Sequence, residues 1–101
     1  MSEGNGVPQP YAVSMSPLQR ERLLQLHAKA DAQNRGKQFL SALREIFQRL
    51  RQQPRSFGEA LFKLTVLKLE IRTAAVHPLV VDYGVHLEKN LVLIQGFKLL
   101  D

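Results

Sequence analysis

Residues 36–66 read GKQFLSALREIFQRLRQQPRSFGEALFKLTV, and the spacing of their apolar positions changes partway through. Phe39, Leu40, Leu43, Ile46, Phe47 and Leu50 recur every three or four residues, while Arg44, Glu45, Gln48, Arg49 and Arg51 fall on the opposite side. That is the pattern of a helix with one wet face. Pro54 lacks a backbone N–H and pushes its predecessor toward extended backbone, so the helix should end one or two residues before it. From Gly58 the period becomes two, with Phe62, Leu64 and Val66 alternating with Leu61, Lys63 and Thr65. A strand follows a helix.

Toward the N-terminus, Asn34-Arg35-Gly36 supplies a break, because Asn and Gly both tolerate left-handed backbone. Before it, Leu23, Leu26, His27 and Ala30 form a narrow helical stripe. Ser16-Pro17-x-Gln19 reads as its start: serine accepts from the third amide, proline suits the first turn, and glutamine reaches back. Tyr11–Met15 predicts a short edge strand, and residues 1–10, with two of the six glycines and two of the five prolines, predict a disordered tail.

Toward the C-terminus, Ile71, Thr73 and Ala75 alternate with Arg72, Ala74 and Val76, and His77-Pro78 makes a turn. Leu79, Val81, Tyr83 and Val85 form the cleanest strand, His86 to Asn90 a hairpin loop, and Leu91 to Phe97 a last strand. The order predicts a single α+β domain over residues 11–101, an N-terminal αα-hairpin packed on a three- to four-stranded antiparallel sheet. Phe39, Leu43, Ile46, Phe47 and Leu50 should face that sheet and leave Arg44, Arg49 and Arg51 in water.

The chain has 101 residues and no cysteine, which fits one domain and excludes disulfides and thiolate chemistry. No apolar run is long enough to span a bilayer, and Met1 to Pro10 lacks the basic and apolar regions of a signal peptide, so a soluble cytoplasmic protein is expected. The net charge of +5 is unevenly spread. Residues 19–55 carry nine Lys/Arg against three acids, net +6, whereas residues 56–101 carry five of each sign. Such asymmetry suits an anionic partner, a nucleic acid or an acidic protein, and equally a helix face that keeps the chain soluble. Arg44, Arg49, Arg51, Arg55 and Lys63 are the candidate nucleic-acid contacts.

Most catalytic templates are missing. There is no phosphate-binding glycine loop and no nucleophile elbow, and the histidines at 27, 77 and 86 are too far apart for a helical metal pair. No metal and no cofactor is expected. What remains is cationic: Arg72 in mid-strand, and Lys98 at the end of the last strand. Arg72 is opposite in phase to Ile71 and Thr73, which suggests that it shares an open sheet face with Lys98. Glu70, two residues away, should pair with Arg72 and quench it.

Two basic helices, then Pro54-x-x-Phe-Gly58-x-Ala60-Leu-Phe-Lys-Leu64, a strand with Arg72, and Val80-Val-Asp-Tyr83-x-Val85 before a closing strand resemble the RelE/ParE superfamily of type II toxin–antitoxin toxins. The resemblance runs over roughly residues 11–100. It implies a growth-inhibiting toxin or a degenerate relative, held by a cognate antitoxin and acting on ribosome-bound mRNA or on gyrase. As an enzyme it would be a metal-independent ribonuclease. On that resemblance Arg72, Tyr83 and Lys98 take the catalytic positions. The family's second arginine, three residues before the tyrosine, is replaced by Val80, and the cation two residues before Arg72 by Glu70. Weak or absent cleavage is the expectation. The alternative from the residues alone is a non-enzymatic basic module that binds nucleic acid or an acidic protein.

Overall fold

The Ser16 side chain accepts a hydrogen bond from the Gln19 amide at 3.1 Å, with Pro17 in the first turn, and so starts the first helix where the sequence places it. The structure is a computed structural model that describes residues 9–101. Most of the expected tail, residues 1–8, lies outside the described residues. The described elements are β1 (Ala12–Ser14), α1 (Pro17–Ala32), α2 (Gly36–Gln52), β2 (Glu59–Leu64), β3 (Leu69–Val76), β4 (Leu79–His86) and β5 (Leu91–Leu99). Asn34 turns the chain between the helices at φ +60°. No helix among the described residues is long and apolar enough to cross a membrane.

The α+β layering is as expected, but the sheet is larger. It has five strands in the order β1-β5-β4-β3-β2, and β1 runs parallel to β5, so the sheet is mixed rather than antiparallel. The β1–β5 pair joins segments about eighty residues apart, which no local pattern encodes. Phe39, Ala42, Ile46 and Leu50 of α2 are buried with Leu79, Val81, Tyr83, Val85, Val92, Ile94 and Phe97 of the sheet. Three positions of the expected α2 stripe depart from it. Leu40 is exposed, and Leu43 and Phe47 are only half-buried at the margin of the core, because α2 turns its Phe39–Ile46–Leu50 line to the sheet. Gln19 does not reach back to the cap; its Oε1 is buried without a hydrogen-bond partner.

The cross-strand register fixes which residues share a face. Glu70, Arg72, Ala74 and Val76 of β3 lie opposite Val85, Tyr83, Val81 and Leu79 of β4, the row that packs on the helices. Leu69, Ile71, Thr73 and Ala75 therefore occupy the other, open face. In β3 the charged pair points inward and the aliphatic pair outward, a reversal of the usual pattern.

Candidate functional site

Arg72 sits in the middle of β3, directly opposite Tyr83 on β4. Its Nε donates to the Phe57 carbonyl at 3.1 Å, Nη2 to the Gly58 carbonyl at 3.3 Å, and Nη1 to Glu70 Oε1 at 2.8 Å. The Tyr83 hydroxyl lies 2.6 Å from the same Phe57 carbonyl and 2.9 Å from the Pro54 carbonyl, and can donate to either. The connection from α2 to β2 is thus clamped from below by one guanidinium and one phenol. Gly58 at the end of the clamp has φ +69°, and any side chain there would collide with the Thr73 carbonyl and Ala74. Phe57 stacks on Tyr83 at 6.1 Å between ring centres, and the Arg49 guanidinium sits 5.6 Å from the centre of the Phe57 ring.

The ionisation of the pair follows from this packing. Burial works against the Arg72 charge, but the hydrogen bond to Glu70 and the neighbouring phenol oxygen outweigh it and hold the pKa above its ordinary value. Burial pushes the Tyr83 phenol up, and Arg72 offsets only part of that rise. At neutral pH the arginine is charged and the tyrosine protonated. All three nitrogens of the guanidinium are engaged, and only 9% of its side chain is exposed, so an incoming phosphate would have to displace Glu70 and two backbone carbonyls. The expected Arg72–Glu70 pair is present. What it quenches is a buried clamp.

Lys98 is not part of this arrangement. It lies opposite Val80, whereas Arg72 lies in the row of Tyr83 and Val81. Successive residues of β4 point to opposite faces, so Lys98 is on the open face and Arg72 on the helix-covered one. The expected shared face is corrected by the inverted alternation of β3. Of the three residues expected at catalytic positions from the resemblance, Arg72 and Tyr83 come together and Lys98 stands apart.

The candidate nucleic-acid contacts spread over three surfaces. Arg44, Arg49 and Arg51 are exposed on α2, with Arg49 paired to Glu45 at 3.5 Å. Arg55 donates to the His86 and Leu87 carbonyls at 2.9 and 3.1 Å, which ties it to the β4–β5 turn. Lys63 is exposed on the edge strand β2. The sequence reading left out Lys37, which lies seven residues before Arg44, as Arg44 lies seven before Arg51. Two helical turns separate each pair, so the three exposed cations form a line with steps of about 10.5 Å. The seven-residue spacing was the available signal. Ser41, Gln48 and Gln52 lie along the same surface and line a shallow open depression with Arg44 and Arg49.

Comparison with protein-family models, curated proteins and solved structures finds no match for this chain.

Proposed function

We propose that this protein is a non-enzymatic binding module that engages the phosphate backbone of a nucleic acid through the outer face of α2. The observation that carries this reading is the line Lys37–Arg44–Arg51, exposed along its length and interleaved with Ser41, Gln48 and Gln52. α2 carries four cations and one acid. Exposed cations on a rigid helix neutralise phosphates without reading bases, and the amide and hydroxyl side chains add hydrogen bonds to phosphate oxygens. Arg72, the cation in the family's catalytic position, is committed to Glu70 and two carbonyls, which favours binding over cleavage.

Fluorescence anisotropy with a labelled duplex and a labelled single strand, titrated over salt, tests the reading. Three duplex phosphates give a log–log slope of about −2.7, and three single-strand phosphates about −2.1. Lys37→Glu, Arg44→Glu and Arg51→Glu combined should abolish binding at moderate salt. Binding that keeps its salt slope in the triple variant refutes the assignment to this face.

A second reading, a toxin of the RelE/ParE kind, is supported by the helical hairpin that precedes the Arg72 strand. Induced expression in a bacterial host, with growth and ribosome-bound mRNA followed over time, separates the two. Growth arrest without mRNA cleavage would favour a toxin that acts by binding.

A further inference from the structure

The β2–β3 hairpin takes no part in binding through α2. All six residues of β2 are exposed, and Leu61, Phe62, Leu64, Val66 and Leu67 put five large apolar side chains into solvent within seven positions. Val66 at 93% and Leu67 at 61% are the most exposed of them, and both sit in the turn. That turn is built rather than loose. The Leu67 amide donates to the Leu64 carbonyl and the Lys68 amide to the Thr65 carbonyl, each at 3.1 Å, and Lys68 closes the turn at φ +57°. The Leu87 amide donates to the Lys68 carbonyl at 2.8 Å, and the Lys68 ammonium meets Glu88 at 3.1 Å, which fastens the β4–β5 turn alongside. Single exposed apolar residues are ordinary on a protein surface, but a run of this density marks a contact.

Charge decides what this turn meets. Lys63, Lys89 and Arg55 are exposed around it, Arg55 being fixed there by the His86 and Leu87 carbonyls. Among the described residues this end of the sheet holds two acids, Glu70 and Glu88, and both are already paired, with Arg72 and Lys68. Three cations are therefore left over beside an apolar tip. The depression next to the tip, lined by Lys63 to Leu67, is shallow and open, and holds no groove for a partner segment. An apolar tip backed by cations matches the depth profile of an anionic lipid surface, in which acyl chains lie beneath phosphates.

We infer that the β2–β3 turn docks this protein on anionic lipid surfaces. Val66 and Leu67 enter the boundary between headgroups and acyl chains, to a depth of about 5–10 Å. Lys63, Lys89 and Arg55 stay among the lipid phosphates, and Lys68 holds the turn in shape through Glu88. Each cation near such a surface is worth about fivefold in affinity. A short apolar tip and three cations give reversible attachment, far from the permanence of a spanning helix. The C-terminal end of α2 lies toward the same end of the molecule, since Tyr11 donates to the Arg51 carbonyl and Ala12 to the Asn90 carbonyl. Lys37 and Arg44 lie two and four turns back along α2 and stay clear of the lipid.

Co-sedimentation of the full chain with phosphatidylcholine vesicles holding about 30% phosphatidylserine tests the proposal. The chain should pellet with these vesicles, and at least about tenfold less with pure phosphatidylcholine. Val66→Asp combined with Leu67→Asp, at side chains already in solvent, should weaken binding about tenfold or more with an unchanged far-UV circular dichroism spectrum. Lys63→Glu combined with Lys89→Glu should weaken it at least about 25-fold, from two cations at about fivefold each. Lys37→Glu combined with Arg44→Glu should leave it within about threefold, which separates docking through the turn from attraction to the basic face of α2. A wild-type chain that binds neither vesicle overturns the proposal. Binding that survives the Val66 and Leu67 changes, or that is lost with Lys37 and Arg44 instead, overturns it as well. Equal binding to neutral and anionic vesicles overturns the role given to the cations.

Discussion

On its helix-covered side β3 presents Glu70 and Arg72; on its open side the same strand presents Leu69 and Ile71. The charged pair is tolerated inside because the guanidinium has a carboxylate and two carbonyls within 2.8–3.3 Å. The aliphatic pair is tolerated outside because both side chains fold down over Gly84, in the space a side chain there would take. On this strand burial follows the partners a side chain finds, not its polarity alone. A cation on an alternating strand therefore says little about function until its acceptors are known. The contrast with α2 is direct, since Arg44 and Arg51 stand in water while Arg72 is locked in place.

The inside face should be far more sensitive to substitution than the outside one. The largest effect is expected at Phe39, which is fully buried and stacks on His27 at 5.1 Å. Phe39→Ala should cost about 3–5 kcal/mol in urea denaturation, and Phe47→Ala less, because Phe47 is only half-buried. Equal losses at the two positions would show that α2 is rotated relative to the sheet.

Arg72→Ala should cost about 2–3 kcal/mol, because it removes a buried side chain, leaves the part-buried Glu70 carboxylate without its cation, and leaves the Phe57 carbonyl to Tyr83 alone. Arg72→Lys should recover only part of that loss, since one ammonium cannot reproduce a planar fork aimed at three acceptors. A loss below about 1 kcal/mol for Arg72→Ala would remove the clamp and return Arg72 to the list of functional candidates.

Tyr83→Phe deletes the hydroxyl that meets the Pro54 and Phe57 carbonyls, at a cost of about 1–2 kcal/mol. The same side chain sets a pH dependence. Its folded-state pKa lies above the ordinary 10.0, so the unfolded chain gives up this proton first as the pH rises. The contribution is whole below pH 10.0 and is lost as the pH climbs through the raised folded-state value, by at most about 1.4 kcal/mol per pH unit. Urea midpoints on either side of pH 10 measure that slope, and Tyr83→Phe should flatten it.

The smallest effect belongs to the open face. Phe62→Ala should change stability by no more than about 0.5 kcal/mol in urea denaturation, since the side chain is 55% exposed. A loss approaching that of Phe39→Ala would show that the open face is as much a core as the covered one.

The sequence by itself determined the elements. The change of apolar spacing after Leu50, the stop before Pro54, the Ser16 cap and the Asn34 turn are all set by neighbours within four residues, where side-chain period and backbone preference act directly. The wet face of α2 was legible for the same reason, and so was the Glu70–Arg72 pair, two residues apart on one strand. Only the tertiary structure decided which side of β3 is inside. Alternation reports that two faces differ, while the face that is covered depends on what the helices and the other strands bury with it. Only the fold could bring the Phe57 and Gly58 carbonyls to Arg72, or β1 beside β5, since these contacts close long loops that no local period records. The separation of Arg72 from Lys98 has the same origin: each was placed by its strand's phase, and the relative phase of two strands is fixed by their register across the sheet.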